Sequence, residues 1–328
     1  MSPLVSIIIP CFNGAKHIEC AINSCINQTY ENLEIIVVDD GSIDSSKKVI
    51  HGINDQRIIY FYQENSGSPV AKNYGLKEAT GRYIQFLDCD DYLSSNKISS
   101  QVNILEKSNN SIAVCRTKIF SNDEDLTKDN LPEIDTHYLT YSEGPRDFLL
   151  NLMGINGRIG MVQPNAFLIP RKVIDKSGFW SKKLSRSPDD DSEFMCRVLL
   201  NSERIIYDSN SISFYRKSIN ELSSSKKEIN AFGALHTIDL KRQYILSLED
   251  SSEIRYMLAK HYTNFIYSYG VYYLHLMFKA LERIKMLQVS KIPPIGGRKF
   301  VVLRNIIGFK NSIRLIFLIN CLKNLTKR

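Results

Sequence analysis

The chain has 328 residues, of which 43% are hydrophobic and 23% are charged. This length suffices for one large α/β domain, or for one domain with a smaller appendage, and the composition excludes wholesale disorder. The net charge of +7 is unevenly distributed. Residues 279–328 contain twelve Lys or Arg and one acid, a net of +11, so the total of +7 leaves −4 for residues 1–278. The basic C-terminal part predicts an anionic partner surface.

Cysteine and histidine usage argues against a disulfide framework and against zinc. The seven cysteines form no CxxC pair and are odd in number, which is typical of a reducing compartment. The six histidines are scattered along the chain, so a zinc site has little support. The apolar run at residues 4–9 is short and lacks a basic leader, and no run of about eighteen apolar residues occurs. We therefore expect a cytoplasmic protein without a spanning helix.

The first ninety residues alternate apolar runs with helical patterns. Strands are predicted at Val5–Pro10, Glu34–Val38, Arg57–Gln63 and Arg82–Asp88, and a helix at Ser68–Ala79. Continuous β-branched runs are typical of strands that are buried on both faces. Strands that alternate with helices predict a parallel, doubly wound sheet with right-handed crossovers.

The pattern is looser in the rest of the chain. Extended segments are predicted at Ile112–Phe120, Met161–Ile169, Arg204–Tyr207 and Ile212–Tyr215, and a helix from Pro188 or Asp189 through Asn201. The Ser/Lys-rich stretch at 223–227 marks the boundary between two predicted domains, 1–222 and 223–328. Apolar residues at three- and four-residue spacing then predict helices. These residues are Ile254, Leu258, His261, Phe265, Tyr269, Tyr272 and Leu276.

Three of the predicted strands end in polar residues. The segments are Pro10–Gly14, Asp39–Ser42 and Asp88–Asp91. In parallel α/β sheets, ligands bind beyond the carboxyl ends of the strands, which meet at the same edge. The sequence therefore predicts one binding site that all three segments build.

Asp88 and Asp90 are candidates for a metal site. They are two residues apart, so at the end of an extended strand their side chains point the same way. A pair of hard carboxylates without a nearby His or thiol pair suits Mg²⁺ or Mn²⁺, which often share their coordination with substrate phosphates. The alternative is an acidic turn that binds nothing. The spacing alone does not decide between them, and the acids at the neighbouring strand end favour the metal.

The neighbouring strand ends contain candidate nucleotide ligands. Asp39 and Asp40 can accept hydrogen bonds from a base or a ribose, or they can cap the following helix. Gly67 precedes a predicted helix whose free N–H groups can face a phosphate. Lys72 lies on the first turns of that helix, where it either approaches the same anion or is a solvated surface lysine.

Several segments in consistent order resemble the family 2 glycosyltransferases, which have the GT-A fold. They are SIIIPCFNG (6–14), VVDDGS (37–42), NSGSPVAKNYGL (65–76), GRYIQFLDCDDYL (81–93), and LIPRKVIDKSGFW with PDDDSEFMCRVL (168–199). The similarity spans residues 4–218. The resemblance implies a Rossmann-like, mostly parallel sheet flanked by helices, here followed by a helical C-terminal extension.

The resemblance also implies a reaction, which is transfer of a sugar from a nucleoside diphosphate donor to an acceptor hydroxyl, with inversion at the anomeric carbon. By position, Asp40 would bind the base of the donor in a pocket that Pro10, Phe12 and Asn13 shape. Asp88 would contact the ribose or the metal-bound diphosphate. The predicted donor-binding residues are Pro10, Phe12, Asn13, Asp39, Asp40, Gly67, Lys72 and Asp88.

On the same resemblance, Asp90 ligates Mn²⁺ or Mg²⁺ together with Asp88, and Asp191 is the general base. A divalent ion would stabilise the leaving diphosphate, and a carboxylate would take the proton of the acceptor hydroxyl. The neighbouring acids of Asp191 are alternatives for the base. They are Asp189, Asp190 and Glu193.

Two positions depart from the family pattern. Lys72 stands where the family commonly has Arg, and a lysine keeps the charge but loses the planar fork that makes bidentate contacts. No histidine follows Tyr215 and Arg216, where family members often have one. Arg216 or Lys217 is then the candidate for a cationic contact to the diphosphate.

The C-terminal segment mixes apolar and basic residues on an imperfectly sorted helix. These residues are Phe300, Leu303, Ile307, Lys310, Arg314, Phe317 and Leu318. A basic amphipathic helix is typical of contact with an anionic membrane surface. The alternative is packing on the catalytic domain or on a second subunit, so a homo-oligomer stays open. Nucleic acid is not expected as a partner, because no recognised binding module accompanies the charge.

The sequence as a whole predicts an inverting, metal-dependent glycosyltransferase whose default donor is a UDP-sugar. We expect a saccharide or lipid-linked saccharide acceptor and a role in bacterial surface polysaccharide synthesis (capsule, O-antigen or exopolysaccharide), at the inner face of the cell membrane. One alternative is a non-catalytic nucleotide-sugar or membrane binding module that retains the fold. Another is a nucleotide-sugar pyrophosphorylase, but residues 11–14 do not supply the GxGxR-type loop that it requires.

Overall fold

The computed structural model describes residues 2–108, 110–134, 144–161, 163–217, 226–293 and 298–325. The chain divides into two compact units. The first comprises Met1–Ser185 and Phe194–Glu221, and the second comprises Arg186–Glu193 and Leu222–Arg328. The predicted boundary between residues 222 and 223 lies outside the described residues, so a division at that point stays a prediction.

The first half of the sheet is parallel, as the sequence predicts. Its strands are β1 (Val5–Cys11), β2 (Leu33–Asp40), β3 (Ile58–Gln63) and β4 (Tyr83–Phe86), in the spatial order β3-β2-β1-β4. The connecting helices are α1 (Ile18–Ile26), α2 (Ser46–Gly52) and α3 (Ser68–Glu78). Every residue of β1 is buried, which explains its unbroken apolar sequence.

The second half of the sheet is mixed. It contains β5 (Tyr92–Leu93), β6 (Ser111–Phe120), β7 (Phe167–Pro170) and β8 (Arg204–Arg216), and the spatial order continues from β4 as β7-β6-β8-β5. β7 runs antiparallel to both β4 and β6, whereas β6 and β8 are parallel. The accompanying helices are α4 (Lys97–Leu105), α5 (Pro145–Leu152) and α6 (Arg171–Ser177).

Two sequence predictions in this half are wrong in detail. The segments 204–207 and 212–215 belong to one strand, β8, because its register steps from Cys115–Asp208 to Arg116–Ile212 and residues 209–211 form a bulge. The extended segment predicted from Met161 begins as a strand only at Phe167, after a 3-10 turn at Pro164–Ala166. Polar bulge residues and a proline turn both interrupt the patterns from which strands are predicted.

The second unit is helical. α7 (Asp190–Leu200) begins in this unit and ends in the first, and α8 (Glu228–Leu248), α9 (Ser252–Phe265), α10 (Leu274–Met286), α11 (Arg298–Ile307) and α12 (Phe309–Leu325) follow. The apolar stripe predicted over 254–276 is interrupted by a π-helical turn at Ile266–Gly270. Among the described residues, no helix combines the length and the apolar character needed to cross a bilayer.

The close contact between α3 and β1 predicts that one added methyl group at Gly75 destabilises the protein. A Cβ on Gly75 would lie 2.4 Å from Cγ2 of Ile8, which is fully buried. We expect Gly75→Ala to lower the free energy of unfolding by about 1–3 kcal/mol, because the packed strand cannot move aside. Urea titration measures this change.

Gly52, the last residue of α2, is the matched control, because a Cβ there meets nothing within 4 Å. Gly52→Ala should change the free energy of unfolding by less than about 1 kcal/mol. Equal losses in the two variants would contradict the close packing of α3 on β1.

Candidate active site

The three polar strand ends meet at one edge of the sheet. β1 lies between β2 and β4, all three strands are parallel, and Cys11 pairs with Asp39. Ile8 pairs with Phe86, so the acidic turn that follows β4 begins at the level where β1 ends. The acids that end β2 and the acids that follow β4 therefore flank the loop after β1.

The loop after β1 is joined to the loop after β2 by reciprocal hydrogen bonds. The backbone N–H of Asn13 donates to Oγ of Ser42 at 2.9 Å, and the N–H of Ile43 donates to Oδ1 of Asn13 at 2.9 Å. Asn13 has a positive φ of 52°, which asparagine tolerates better than most residues. Pro10 is buried in β1, whereas the neighbouring Phe12 is half exposed.

Asp39 and Asp40 are buried and have different hydrogen-bond partners. Asp39 accepts hydrogen bonds from the Ser42 N–H and from the hydroxyl of Tyr60, at 2.8 and 2.9 Å. A carboxylate has about four lone-pair sites, so hydrogen bonds to a nucleoside remain compatible with this arrangement.

The Asp40 carboxylate holds the loop that follows β3. Its Oδ1 accepts from Nε2 of Gln63 and from the N–H of Ser66, and its Oδ2 accepts from the N–H of Gly67 at 2.8 Å. Gly67 has a φ of 94°, and a Cβ there would lie 2.7 Å from the carbonyl oxygen of Ser185. Only glycine fits this position, so Asp40 and Gly67 together set the start of α3.

The acids after β4 have different surroundings. The side chain of Asp88 is 41% exposed, and its Oδ1 lies 3.4 Å from Nζ of Lys72. Asp91 is buried and accepts hydrogen bonds from the Arg216 N–H and from Nδ2 of Asn165, at 2.9 and 2.8 Å. Burial, together with the charges of Asp90 and Asp88, raises the pKa of Asp91 well above its ordinary value. Asp91 is thus a structural acid, and Asp88 is accessible to a ligand.

Lys72 is not the solvated surface lysine that was one of the two alternatives. It is 2% exposed, and its ammonium group lies 4.4 Å from the centroid of the Trp180 ring as well as beside Asp88. Trp180 in turn stacks on Phe194 at 4.0 Å, and its backbone N–H donates to Oδ1 of Asn73 at 2.8 Å. Trp180 was not predicted as part of the site. The sequence feature that could have indicated it is that it is the single tryptophan of the chain and lies in the GFW segment.

Arg216 does not occupy the role of a free cation for a diphosphate. It is buried, its Nε donates to the carbonyl oxygen of Asp90 at 2.8 Å, and its guanidinium lies over the Phe120 ring at 4.3 Å. Nη1 donates to the carbonyl of Ser121, and Nη2 pairs with Asp123 at 2.5 Å. Arg216 therefore fixes the backbone of the acidic turn.

The cysteines near this edge have no pairing partner in a disulfide. Among the described residues, no disulfide is formed by Cys11, Cys20, Cys25, Cys89, Cys115 or Cys196. The Cys89 side chain is hydrogen-bonded to Cys11, which lowers the pKa of Cys11, while that contact and burial raise the pKa of Cys89.

The residues after β4 suit a divalent ion that a substrate helps to hold. Within the described ranges, no group of three or more His, Cys, Asp or Glu side chains is placed to bind a metal by itself. Mg²⁺ and Mn²⁺ in nucleotide sites commonly use one or two carboxylates, with waters and phosphates as the other ligands. Asp88 and Asp90 supply two hard oxygen donors at an accessible edge, so the donor set fits such an ion.

The predicted base, Asp191, lies in the first turn of α7 and belongs to the second unit. Two of the alternative acids are engaged within that unit. Oδ2 of Asp189 lies 3.0 Å from Nζ of Lys241, and buried Glu193 accepts a hydrogen bond from the hydroxyl of Tyr244 at 2.9 Å.

Solved structures with a similar fold are glycosyltransferases. The first 349 residues of S. aureus TarS match with a TM-score of 0.64 at 19% identity, covering 95% of this chain and 90% of that one. The mannosyltransferase PcManGT from Pyrobaculum calidifontis, solved with GDP-Man and Mn²⁺, matches with a TM-score of 0.52 at 14% identity, covering 100% of this chain and 88% of that one. The chain therefore has the GT-A fold, as the sequence predicts.

The sequence comparisons define the family. The family model described as Glycosyl transferase family 2 matches residues 6–178. An uncharacterized glycosyltransferase of Rickettsia bellii is 30% identical over 305 residues, covering 90% of this chain and 42% of that protein. The chain belongs to glycosyl transferase family 2.

Two further relatives have more specific names. The glycosyltransferase GlyG of Streptococcus pneumoniae is 29% identical over 228 residues, covering 66% of this chain and 72% of that protein. The Escherichia coli protein WfaP, a UDP-Glc:α-D-GlcNAc-diphosphoundecaprenol β-1,3-glucosyltransferase, is 45% identical over 104 residues, covering 31% of this chain and 41% of that protein. The chain spans less than half the length of the Rickettsia relatives that it matches.

The buried contacts of Arg216 predict a large loss of stability on its replacement. Arg216→Met removes the donors to Asp90, Ser121 and Asp123. We expect the free energy of unfolding to fall by about 2–4 kcal/mol, because buried acceptors lose their partner. Urea titration of the purified variant measures the loss.

Arg82 provides the matched control, because it pairs with Glu106 at 3.2 Å and its side chain is 57% exposed. Arg82→Met should cost less than about 1 kcal/mol, as is usual for exposed ion pairs. If Arg216→Met costs no more than Arg82→Met, Arg216 does not hold the acidic turn.

Proposed function

We propose that this glycosyltransferase moves a sugar from a nucleoside diphosphate sugar to an acceptor hydroxyl, with inversion at the anomeric carbon. The observation that carries the proposal is the pair of acid-bearing strand ends on either side of β1. Asp39 and Asp40 are the last residues of β2, and Asp88 and Asp90 follow β4. One set suits a nucleoside and the other a metal-bound diphosphate. A glycoside hydrolase does not account for the nucleoside-type strand end, and a pyrophosphorylase requires a GxGxR-type loop that residues 11–14 do not supply.

A UDP-sugar is the proposed donor. TarS has been solved with UDP and with UDP-GlcNAc, and the name of WfaP gives UDP-Glc as its donor. PcManGT, which was solved with GDP-Man, is less similar in structure than TarS. We infer that Pro10, Phe12, Asn13 and Asp40 form the pocket of the base, with the half-exposed Phe12 ring as its apolar surface.

A saccharide or a lipid-linked saccharide is the proposed acceptor, in the synthesis of a bacterial surface polysaccharide. The support is the name of WfaP, whose acceptor is a diphosphoundecaprenol-linked sugar, together with the bacterial origin of the other relatives. The free thiols support a reducing, cytoplasmic compartment. A homo-oligomer remains a prediction.

Asp90 and Asp88 are the proposed ligands of a divalent ion, Mn²⁺ or Mg²⁺. Such an ion supplies Lewis-acid stabilisation of the charge that develops on the departing diphosphate. Oδ1 of Asp88 also lies 3.4 Å from the buried ammonium of Lys72, and this ion pair orients the carboxylate at the edge. The presence of Mn²⁺ in the PcManGT complex supports the choice of metal.

Asp191 is the proposed general base. Attack on the anomeric carbon needs an acceptor hydroxyl whose proton is taken by a positioned carboxylate. The support for Asp191 is its place before Phe194 and Arg197 in the segment that resembles the family's acceptor-side acid, in the first turn of α7. Asp189, Asp190 and Glu193 are the alternatives.

The metal proposal predicts the effect of Asp90→Asn. Incubation with a panel of nucleotide sugars and Mn²⁺ should release nucleoside diphosphate from one donor, and a chelator should abolish the release. Asp90→Asn should lower the rate at least about 100-fold, because the ion contributes several kcal/mol to stabilisation of the leaving group. Asp175→Asn, at an exposed position on α6, is the control and should keep the rate.

If the protein still releases nucleoside diphosphate in the presence of chelator, and Asp90→Asn releases it as well, the proposal of metal use is refuted. No release from any donor, with or without acceptors, would favour the non-catalytic binding module instead. Binding of a UDP-sugar, measured by calorimetry, separates that module from an inactive preparation.

The base proposal predicts that Asp191→Asn keeps donor binding and loses transfer to an acceptor by about 100- to 10,000-fold. The matched variant Asp189→Asn should retain most of the transfer activity, since Asp189 is paired with Lys241. Product formation with a radiolabelled donor measures both. Transfer that survives in Asp191→Asn and is lost in Asp190→Asn would assign the base to Asp190.

A further inference from the structure

The last two helices expose apolar side chains to solvent. Val302 and Ile306 of α11 are 58% and 74% exposed, and they lie one helical turn apart. Leu315, Leu318 and Ile319 of α12 are 39%, 56% and 41% exposed, at the spacing of one helix face. We call these five residues the C-terminal apolar surface.

α12 is apolar on both of its faces. Ile313 is fully buried and Phe309 nearly so, and the helical repeat of about 3.6 residues per turn sets both on the side away from Leu318. An ordinary surface helix has one apolar stripe, which faces the core, and a polar outer face. The outer face of α12 therefore suits contact with something other than water.

The charge of the same segment is entirely basic. No Asp or Glu occurs between residues 283 and 328. Lys310 and Arg314, both on α12, lie 5.3 and 5.7 Å from the ring centroid of Phe278, which is itself partly exposed. Apolar side chains with basic groups beside them fit a surface that is apolar inside and anionic outside.

We propose that the C-terminal apolar surface binds the face of an anionic phospholipid bilayer. Val302, Ile306 and Leu318 enter the boundary between headgroups and acyl chains, while Lys310 and Arg314 contact the phosphates. α11 and α12 lie in the plane of the bilayer, since no described helix is long and apolar enough to cross it. The inference goes beyond sugar transfer and does not depend on which donor or acceptor is used.

A second copy of the chain is a less suitable occupant. If two copies docked through this surface, their residues 279–328, with a net charge of +11 in each copy, would be brought together. Like charges placed together across an interface are unfavourable. A bilayer that contains anionic lipid supplies both an apolar layer and the opposite charge.

The test uses the whole chain and sedimentation with two kinds of vesicle. One kind contains phosphatidylcholine alone, and the other contains equal parts of phosphatidylcholine and phosphatidylglycerol. The protein should sediment with the anionic vesicles, and high salt should weaken the binding because exposed charges are screened. Absence of sedimentation with anionic vesicles at low salt overturns the proposal.

Paired substitutions assign the binding to the C-terminal apolar surface. Ile306→Ser with Leu318→Ser should reduce vesicle partitioning by roughly tenfold or more. The control pair, Ile43→Ser with Ile229→Ser, removes equally exposed apolar side chains elsewhere and should leave partitioning unchanged. Lys310→Gln with Arg314→Gln should reduce the preference for phosphatidylglycerol.

Three outcomes contradict the proposal. Equal losses in the control pair would mean that partitioning is not specific to α11 and α12. A dimer in light scattering that Ile306→Ser with Leu318→Ser dissolves, without vesicle binding, would make a second copy the occupant. If that variant loses its helical circular dichroism signal, the test uses Val302→Ser with Leu315→Ser instead. Vesicle partitioning that this second variant retains would refute the role of the surface.

Release of nucleoside diphosphate is measured separately, without vesicles. Failure of the membrane proposal is therefore distinguishable from failure of the proposed function.

Discussion

Three carboxylates within four residues after β4 repel one another, and much of the site is arranged around this crowding. Arg216 offsets it from one side, because its Nε donates to the backbone carbonyl of Asp90 and its backbone N–H donates to the Asp91 carboxylate, and Lys72 offsets it beside Asp88. The three acids therefore do not share one role. Asp91 belongs to the interior, where its pKa is raised, and Asp88 remains partly exposed. An excess of negative charge is left at the accessible edge, where a cation can reduce it.

The lysine at position 72 makes sense in this setting. A compact ammonium fits between the Asp88 carboxylate and the Trp180 ring, where a planar guanidinium would need more room. The indole supports the charge through its π face, and its stacking on Phe194 keeps it in place. Lysine in place of arginine thus keeps a positive charge at position 72, although it lacks the bidentate guanidinium. The charge is buried and acts on the Asp88 carboxylate.

The parallel half of the fold could be predicted because β1 and β2 are buried along almost their whole length, and their sequences are correspondingly uniform. The second half was less predictable, since β7 has four residues and β8 contains a bulge. Candidate acids could be named from their places at strand ends. Their partners could not, because Asn73 meets Trp180 at a separation of 107 positions and Asp91 meets Arg216 at 125, and local patterns contain no such information.

The reciprocal hydrogen bonds between Asn13 and the Ser42–Ile43 backbone have a thermodynamic consequence for ligand binding. The two loops that border the end of β1 are already fixed to each other before any nucleotide arrives. When a loop becomes ordered on binding, the loss of its conformational entropy weakens the affinity. This loss is avoided where the loops that line a pocket are already ordered before the ligand binds. Affinity at this edge can then arise from few contacts, because Asn13, one of the proposed pocket residues, is held in place before the nucleotide binds.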